Sequence, residues 1–309
     1  MSVARTVLLK VSDNHWLREN GTRVPFIRRA VAKFMPGESF DEMIVAARAT
    51  AAEGITAVFT RLGENVTDLG EADAVASHYL EGIDRGRALR LDCEPSIKLT
   101  QLGLDIDREL AYGHLRDLAA RAHAANNYLW VDMEQSPYVD VTLALTRRLR
   151  AEFPRVGVCL QAYLFRTRDD LDDLTARGIG VRLVKGAYNE LATVAFPRKS
   201  DVDANYLALA QVMLAPAARA AGSRAVFGTH DLPLIQAIRA HAQSTGVTAT
   251  EYEFHMLYGI QKAAQQRLAR DGAPVRVLIA YGEYWFPWYM RRLAERPANV
   301  WFVAKSLFG

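Results

Sequence analysis

A regular alternation is what most constrains this chain. Short runs rich in Val, Ile, Leu and aromatic residues recur at about 55–61, 93–99, 128–134, 156–163, 179–185, 224–229, 252–257 and 275–281. Between them lie segments with helical spacing, such as 107–126 and 206–221. A strand, a helix and a further strand make a βαβ unit with parallel strands. Eight such units predict a single closed, TIM-like (β/α)8 barrel of the α/β class. Residues 1–52 precede the first strand and read as helices, notably 25–35 and 38–53 with Pro36-Gly37 between them, packed on the barrel's bottom or flank. Residues 53–309 form the barrel itself, with no linker or low-complexity stretch. Pro216 falls inside a helical pattern and predicts a kink or a split there.

Composition excludes several classes. The net charge is +3 and Lys/Arg are interspersed with Asp/Glu, so nucleic acid is not the expected main partner. Cys93 and Cys159 sit in strand-like apolar runs and read as buried free thiols in a reducing compartment. Residues 1–9 lack the apolar core and cleavage site of a signal peptide. No apolar run approaches the roughly 18 residues that span a bilayer. The expectation is a soluble, cytoplasmic chain, at most peripheral at the inner membrane.

In such a barrel the chemistry collects where the strands end. Those ends read Arg61 to Glu64, Lys98, Asp132 to Glu134, Gln161 to Tyr163, Arg182 to Tyr188, Thr229 to Asp231, His255 to Tyr258 and Tyr281 to Glu283. Polar or functional groups appear at all eight, more than a scaffold requires. The densest is Arg182-Leu183-Val184-Lys185-Gly186-Ala187-Tyr188. Within a strand Arg182 and Val184 share one face, Leu183 and Lys185 the other. A guanidinium buried there is costly unless it meets an anion or strong acceptors, and a solvated strand end is the alternative. Gly186 allows close backbone approach.

After the last strand, Pro287 suits the first turn of a helix that carries Arg291 and Arg292. Adjacent helical residues diverge by about 100°, so one arginine can face the mouth and the other the rim. A guanidinium can hold a carboxylate by two parallel hydrogen bonds. A solvated face paired as Arg291 with Glu295 is the alternative.

The ordered blocks Ile97-Lys98-Leu99-Thr100-Gln101-Leu102-Gly103, Val131-Asp132-Met133-Glu134, Leu160-Gln161-Ala162-Tyr163, the Arg182–Tyr188 heptapeptide, Gly228-Thr229-His230-Asp231, Met256-Leu257-Tyr258-Gly259 and Arg291-Arg292-Leu293-Ala294-Glu295 carry a resemblance. Over about residues 55–305 the chain resembles the proline dehydrogenase domain shared by bacterial monofunctional enzymes and the larger bifunctional proline utilisation A flavoenzymes. The resemblance implies a distorted (β/α)8 barrel, non-covalent FAD, and oxidation of L-proline to Δ1-pyrroline-5-carboxylate, the first step of proline catabolism to glutamate. It implies a membrane quinone as electron acceptor. The length leaves no room for an aldehyde-oxidising domain, so a separate pyrroline-5-carboxylate dehydrogenase is expected to take the product. Some bifunctional relatives also repress transcription through an added DNA-binding segment, and this chain shows neither that segment nor a basic arm.

Residue by residue, the resemblance puts Arg182 beside the reactive flavin nitrogen, with Asp132 as its catalytic companion. Lys185, Gly186, Ala187 and Tyr188 would line the isoalloxazine and its phosphates. Gln161, Thr229 and His230 would add hydrogen bonds, and Met133 would lie against the cofactor. His255 stands where many members carry glutamine, and both can donate to a flavin edge. Lys98, Arg291 and Arg292 would hold the substrate carboxylate, Asp132 would orient Lys98 or the amine, and Leu257 would wall the ring. Glu64 and Arg291 would form an ion-pair gate. No metal is implied.

The chain departs from the family pattern near the last strand. Leu278 stands in place of a tyrosine that packs on the substrate ring, and Ala280 in place of a proline, although Tyr281 lies close enough to leave the register open. Trp288 replaces a frequent tyrosine. The alternative substrate is therefore 4-hydroxyproline. A cofactor is needed in either case, because no side chain accepts a hydride. A Rossmann site is excluded, since Gly178-x-Gly180 lacks a third glycine and precedes a strand. Two rival chemistries stay open on the residues alone. One is a Schiff-base lysine, Lys98 or Lys185, with a lowered pKa. The other is a metal-dependent hydrolase using Asp132, Glu134, His230 and His255, which lacks a His-x-His pair on strand 1.

Overall fold

A computed structural model of the chain describes residues 33–285. The eight expected strands are present and pair in parallel, each with its sequence neighbour, to close a barrel. They are β1 (Thr56–Arg61), β2 (Cys93–Ile97), β3 (Leu129–Val131), β4 (Val156–Gln161), β5 (Gly180–Val184), β6 (Ala225–Gly228), β7 (Tyr252–Leu257) and β8 (Val275–Tyr281). β1 closes on β8 with Val58 beside Leu278 and Arg61 beside Tyr281.

β2, β3 and β4 each end two or three residues earlier than their apolar runs suggest, and at β2 and β3 the cause is chemical. After Ile97, residues Leu99–Leu102 tighten into a 3-10 turn that ends at Gly103, φ 91°. After Val131, the ladder stops because the Asp132 and Glu134 carboxylates are drawn to side chains on β5 and the β2 loop. Pro216 divides its helix as expected, into Lys199–Met213 and Pro216–Ala220. The residue before it, Ala215, is extended (φ −62°, ψ 147°), the conformation that proline imposes on its predecessor.

Alternation of side chains gives the barrel two interiors. The larger lies between strands and helices, where side chains such as Leu115, Leu129, Val131, Leu183 and Phe227 are fully buried. Each contributes about 1.5–3 kcal/mol relative to exposure. The helix Phe40–Ala51, opened by a reciprocal Ser39–Glu42 capping box, belongs to this layer. It flanks the barrel, with Phe40 edge-on to Phe59 at 5.5 Å and to Tyr281 at 5.6 Å. Tyr281 thus faces outward, bonded to His78 Nε2 at 2.8 Å, and it is Leu278 that faces into the barrel. Of the two predicted N-terminal helices, residues 25–32 lie outside the described residues.

The inner space is layered. Its floor is ionic: Arg224 and Arg276 pair with Glu94 and Glu253, and Arg276 also with Asp92 at 2.6 Å. Above it Val58, Trp130, Val226 and Leu278 form a small apolar layer. Polar side chains return where the strands end.

Candidate active site

Arg182 is the centre of that upper layer and is only 3% exposed. Its Nε donates to Cys159 Sγ at 2.9 Å and its Nη2 to Ser96 Oγ at 2.6 Å. Nη2 also pairs with Asp132 Oδ1. The guanidinium carbon lies 5.2 Å from the centre of the Trp130 ring. The buried-cation reading of this strand is therefore correct: anion and acceptors are both supplied. One nitrogen is left over: Nη1, with its two N–H donors, is buried with no hydrogen-bond partner among the described residues.

Asp132 is shared. Ser96 Oγ donates to its Oδ1 at 2.7 Å, while Lys98 Nζ stands 3.6 Å from its Oδ2. Burial acts to lower the Lys98 pKa, but Asp132 together with the neighbouring Tyr188, Glu134 and Tyr79 outweighs it and holds the ammonium above its ordinary range. A Schiff-base lysine needs the opposite shift, so this environment counts against that rival for Lys98. Glu134 turns away from this group. It accepts Thr100 N at 3.2 Å and Thr100 Oγ1 at 2.7 Å, tying two loops together, and burial raises its pKa.

Lys185 and the loop after β5 form a neighbouring cluster. Lys185 Nζ pairs with Asp203, and with Asp231 at 2.6 Å, and Lys199 joins the same two carboxylates. Gly186 has φ +111°, and a Cβ there would overlap the Tyr163 ring, so the loop can pass only as glycine. Ala187 is exposed, and Tyr188 is close enough to influence the Lys98 charge. Gln161 Nε2 donates to the Glu134 carbonyl at 3.1 Å, while its Oε1 is buried without a partner among the described residues. Thr229 Oγ1 accepts Asp231 N at 3.1 Å, and His230 Nε2 accepts Leu257 N at 3.0 Å.

His255 lies deeper, 4% exposed, edge-on to Trp130 at 5.7 Å and 3.6 Å from Glu253 Oε1. Burial pushes its pKa down to about 4, with Arg182 and Arg224 helping and Glu253 opposing. The folded chain thus keeps a neutral imidazole that the unfolded chain, with a His pKa of about 6.5, protonates more readily. Its stabilising contribution is full above that unfolded value and is lost as pH falls toward about 4. His255→Gln is expected to flatten the dependence of Tm on pH in this window, measured by thermal melts across it; an unchanged slope refutes the assignment.

The group brought together is therefore Lys98, Asp132 and Arg182, with Gln161 and the Lys185–Gly186 loop at its edge. Met133, buried among the apolar side chains of the outer layer, does not join it. Arg291 and Arg292 lie outside the described residues, so the structure describes only one side of the expected gate, Glu64.

The family model described as "Proline dehydrogenase" matches residues 43–305. The chain belongs to the proline dehydrogenase family. Proline dehydrogenase 1 of Bacillus subtilis subsp. natto is 34% identical over 307 residues, covering 98% of this chain and 98% of that one. Proline dehydrogenase of Deinococcus radiodurans is 36% identical over 283 residues, covering 89% of each. Among solved structures, proline utilization A from Bdellovibrio bacteriovorus, inactivated by N-propargylglycine, aligns with a TM-score of 0.82 over 94% of this chain. The two are 23% identical and the chain spans 36% of that structure, so the likeness speaks to the barrel alone.

As a member of the proline dehydrogenase family the chain is an enzyme, an oxidoreductase. Family membership also removes both rival chemistries. Three of the four groups open to a hydrolase are otherwise engaged: Asp132 with two cations, Glu134 with Thr100, His230 with the Leu257 amide. Among the described residues no group of three or more His, Cys, Asp or Glu side chains is arranged to hold a metal.

Strand-end reasoning passed over Ser96, Trp130, Cys159 and Asp203. The first three had a legible signal. Each sits two residues before a strand-end group, Lys98, Asp132 and Gln161, and so on the same inward face. Asp203 had none, since it reaches Lys185 from a helix.

Proposed function

We propose that this chain is an FAD-dependent enzyme that oxidises L-proline to Δ1-pyrroline-5-carboxylate, opening proline catabolism toward glutamate. The observation that carries the reading is a charge imbalance at the strand ends of a proline dehydrogenase family barrel. Lys98 and Arg182 share Asp132 as their ion-pair partner, and Glu134, the other carboxylate felt by Lys98, is bonded to Thr100, so two cations on one paired carboxylate suit an anionic substrate. Net oxidation removes a proton from the ring nitrogen and a hydride from the adjacent ring carbon, leaving a C=N bond. A bound flavin supplies the two-electron acceptor that side chains lack.

The residues present fit such a group. Arg182 Nη1 and Gln161 Oε1 are buried polar atoms without partners among the described residues, beside a glycine loop that no Cβ could share. Arg182, Gln161, Lys185, Gly186, Ala187, Tyr188, Thr229, His230 and His255 are the residues we assign to holding it; Met133, buried in the outer layer, is left out. Lys98 binds the substrate carboxylate together with Arg291 and Arg292, and Asp132 fixes Lys98 in place. Leu257 and Leu278 bound the apolar side of the ring. Leu278, an aliphatic side chain facing into the barrel, also supports a second reading, oxidation of 4-hydroxyproline, which needs room for one more hydroxyl.

We further propose that a membrane quinone takes the electrons and that a separate pyrroline-5-carboxylate dehydrogenase consumes the product, the chain working in the cytoplasm and at the inner-membrane surface. Among the described residues no helix is long and apolar enough to cross a membrane. Absorbance spectra of the purified protein before and after anaerobic L-proline, and then 4-hydroxyproline, test the reading. A flavin band bleached by L-proline supports it; a colourless protein, or a band that neither imino acid bleaches, refutes it.

Glu64 follows β1, whose end is hydrogen-bonded to that of β8 through Leu62 N to Tyr281 O at 2.8 Å. A Glu64–Arg291 pair across this seam would cover bound substrate and exclude water. Glu64→Ala is then expected to change KM and kcat far more than Tm. A double-mutant cycle with Arg291→Ala should show non-additivity in kcat/KM above about 0.5 kcal/mol. Simple additivity removes the gate.

A further inference from the structure

The function proposed above leaves open what aims the Arg182 guanidinium, and the barrel interior supplies an answer that strand-end reading overlooked. A guanidinium offers five N–H donors in a rigid planar fork, so fixing some of them fixes the rest. At Arg182, Nε is taken by Cys159 Sγ at 2.9 Å, and Nη2 by Ser96 Oγ at 2.6 Å and by Asp132. The plane itself has a neighbour below. Trp130 lies 5.2 Å from the Arg182 guanidinium carbon and 5.3 Å from that of Arg224, which belongs to the ionic floor. Its indole is held in turn by an Nε1 hydrogen bond to Glu94 Oε2 at 2.7 Å.

We propose that Cys159 and Trp130 are positioning residues for Arg182, the thiol fixing its Nε edge and the indole its face, so that Nη1 alone is presented to the reacting groups. The inference rests on the assignment of Arg182 to the flavin made above. The sulfur suits its task. Burial raises the Cys159 pKa above its ordinary range, so it acts as a neutral thiol, and its Sγ is also 4.0 Å from Asp132 Oδ1. A neutral acceptor orients the fork without cancelling the positive charge needed as the acceptor is reduced. Trp130 contributes an apolar face that excludes water from beneath the cation and favours its charge electrostatically.

The test uses the flavin-loaded full chain carrying Cys159→Ala, Cys159→Ser, Trp130→Leu or Arg182→Ala. Four quantities are read: the anaerobic flavin reduction rate by L-proline, KM, the flavin midpoint potential and Tm. With Cys159→Ala the reduction rate is expected to fall about tenfold, the potential to become more negative, and KM to stay within about twofold. Cys159→Ser, which keeps a hydrogen-bond acceptor, should restore both rate and potential. Trp130→Leu should repeat the alanine pattern; if it does not fold, the Cys159 pair decides. Wild-type rate and potential in Cys159→Ala, with both lost in Arg182→Ala, overturn the positioning role and leave Arg182 in place. Equal losses in Cys159→Ala and Cys159→Ser that track Tm also overturn it, as mere packing. A wild-type rate in Arg182→Ala itself instead overturns the underlying assignment.

Discussion

Arg182→Ala is expected to slow reduction of the bound flavin by L-proline by about 10²–10³-fold, the loss seen when a preorganised donor to developing charge is removed. The guanidinium is already held by Cys159, Ser96 and Asp132, so it need not reorganise as charge develops. Its removal should spare the Michaelis complex more than the chemical step, because the interaction strengthens only as electrons arrive. Stopped-flow reduction traces give the rate, and their dependence on proline concentration gives the apparent Kd. A wild-type limiting rate would refute the role. Stability should also fall, since Asp132 loses one of its two cations in a site where its side chain is 16% exposed.

Lys98→Ala is expected to act on the other side of the same carboxylate and to divide its effects differently. Losing a charged partner to the substrate carboxylate costs about 1.5–3 kcal/mol, or roughly 10- to 150-fold in KM. Flavin content should stay near normal, because Lys98, just after β2, pairs with Asp132, while the Lys185 side of the site is held by Asp203 and Asp231. Arg292→Ala should behave the same way. Steady-state KM with absorbance-based flavin counts separates the outcomes: unchanged KM in both variants removes the carboxylate assignment, and lost flavin in Lys98→Ala moves Lys98 to the cofactor side.

The barrel was legible because period and punctuation agreed at all eight strands. Boundaries were missed most at β2, β3 and β4; at β2 and β3 Lys98, Asp132 and Glu134 bond across strands, and no local pattern reports a partner 36 or 50 residues away. Arg182 as a buried, partnered cation was readable from the cost of burying a guanidinium, but the partners were not. Ser96 and Cys159 are small residues of ordinary strand character, and only inward register distinguishes them. Leu278 was settled by topology: its pairing with Val58 and its place in the inner apolar layer put Tyr281 on the other face. The Lys185–Asp203–Asp231 cluster depends on where a helix lands against a strand end, which composition does not encode.

The ionic floor has a consequence for traffic. Arg224, Arg276, Glu94 and Glu253 fill the barrel from beneath, and Trp130 lies over them, fully buried. Among the described residues nothing the size of an imino acid can pass that plug, so the proposed substrate enters from the strand-end side. On the proposed function, an electron acceptor approaching from that same side cannot reach the site until the product has left. A chamber closed at its floor imposes alternation on visitors that share its upper side, and the steady-state kinetics of the proposed reaction should follow parallel-line, ping-pong behaviour when substrate and acceptor are varied together; intersecting lines refute the shared approach.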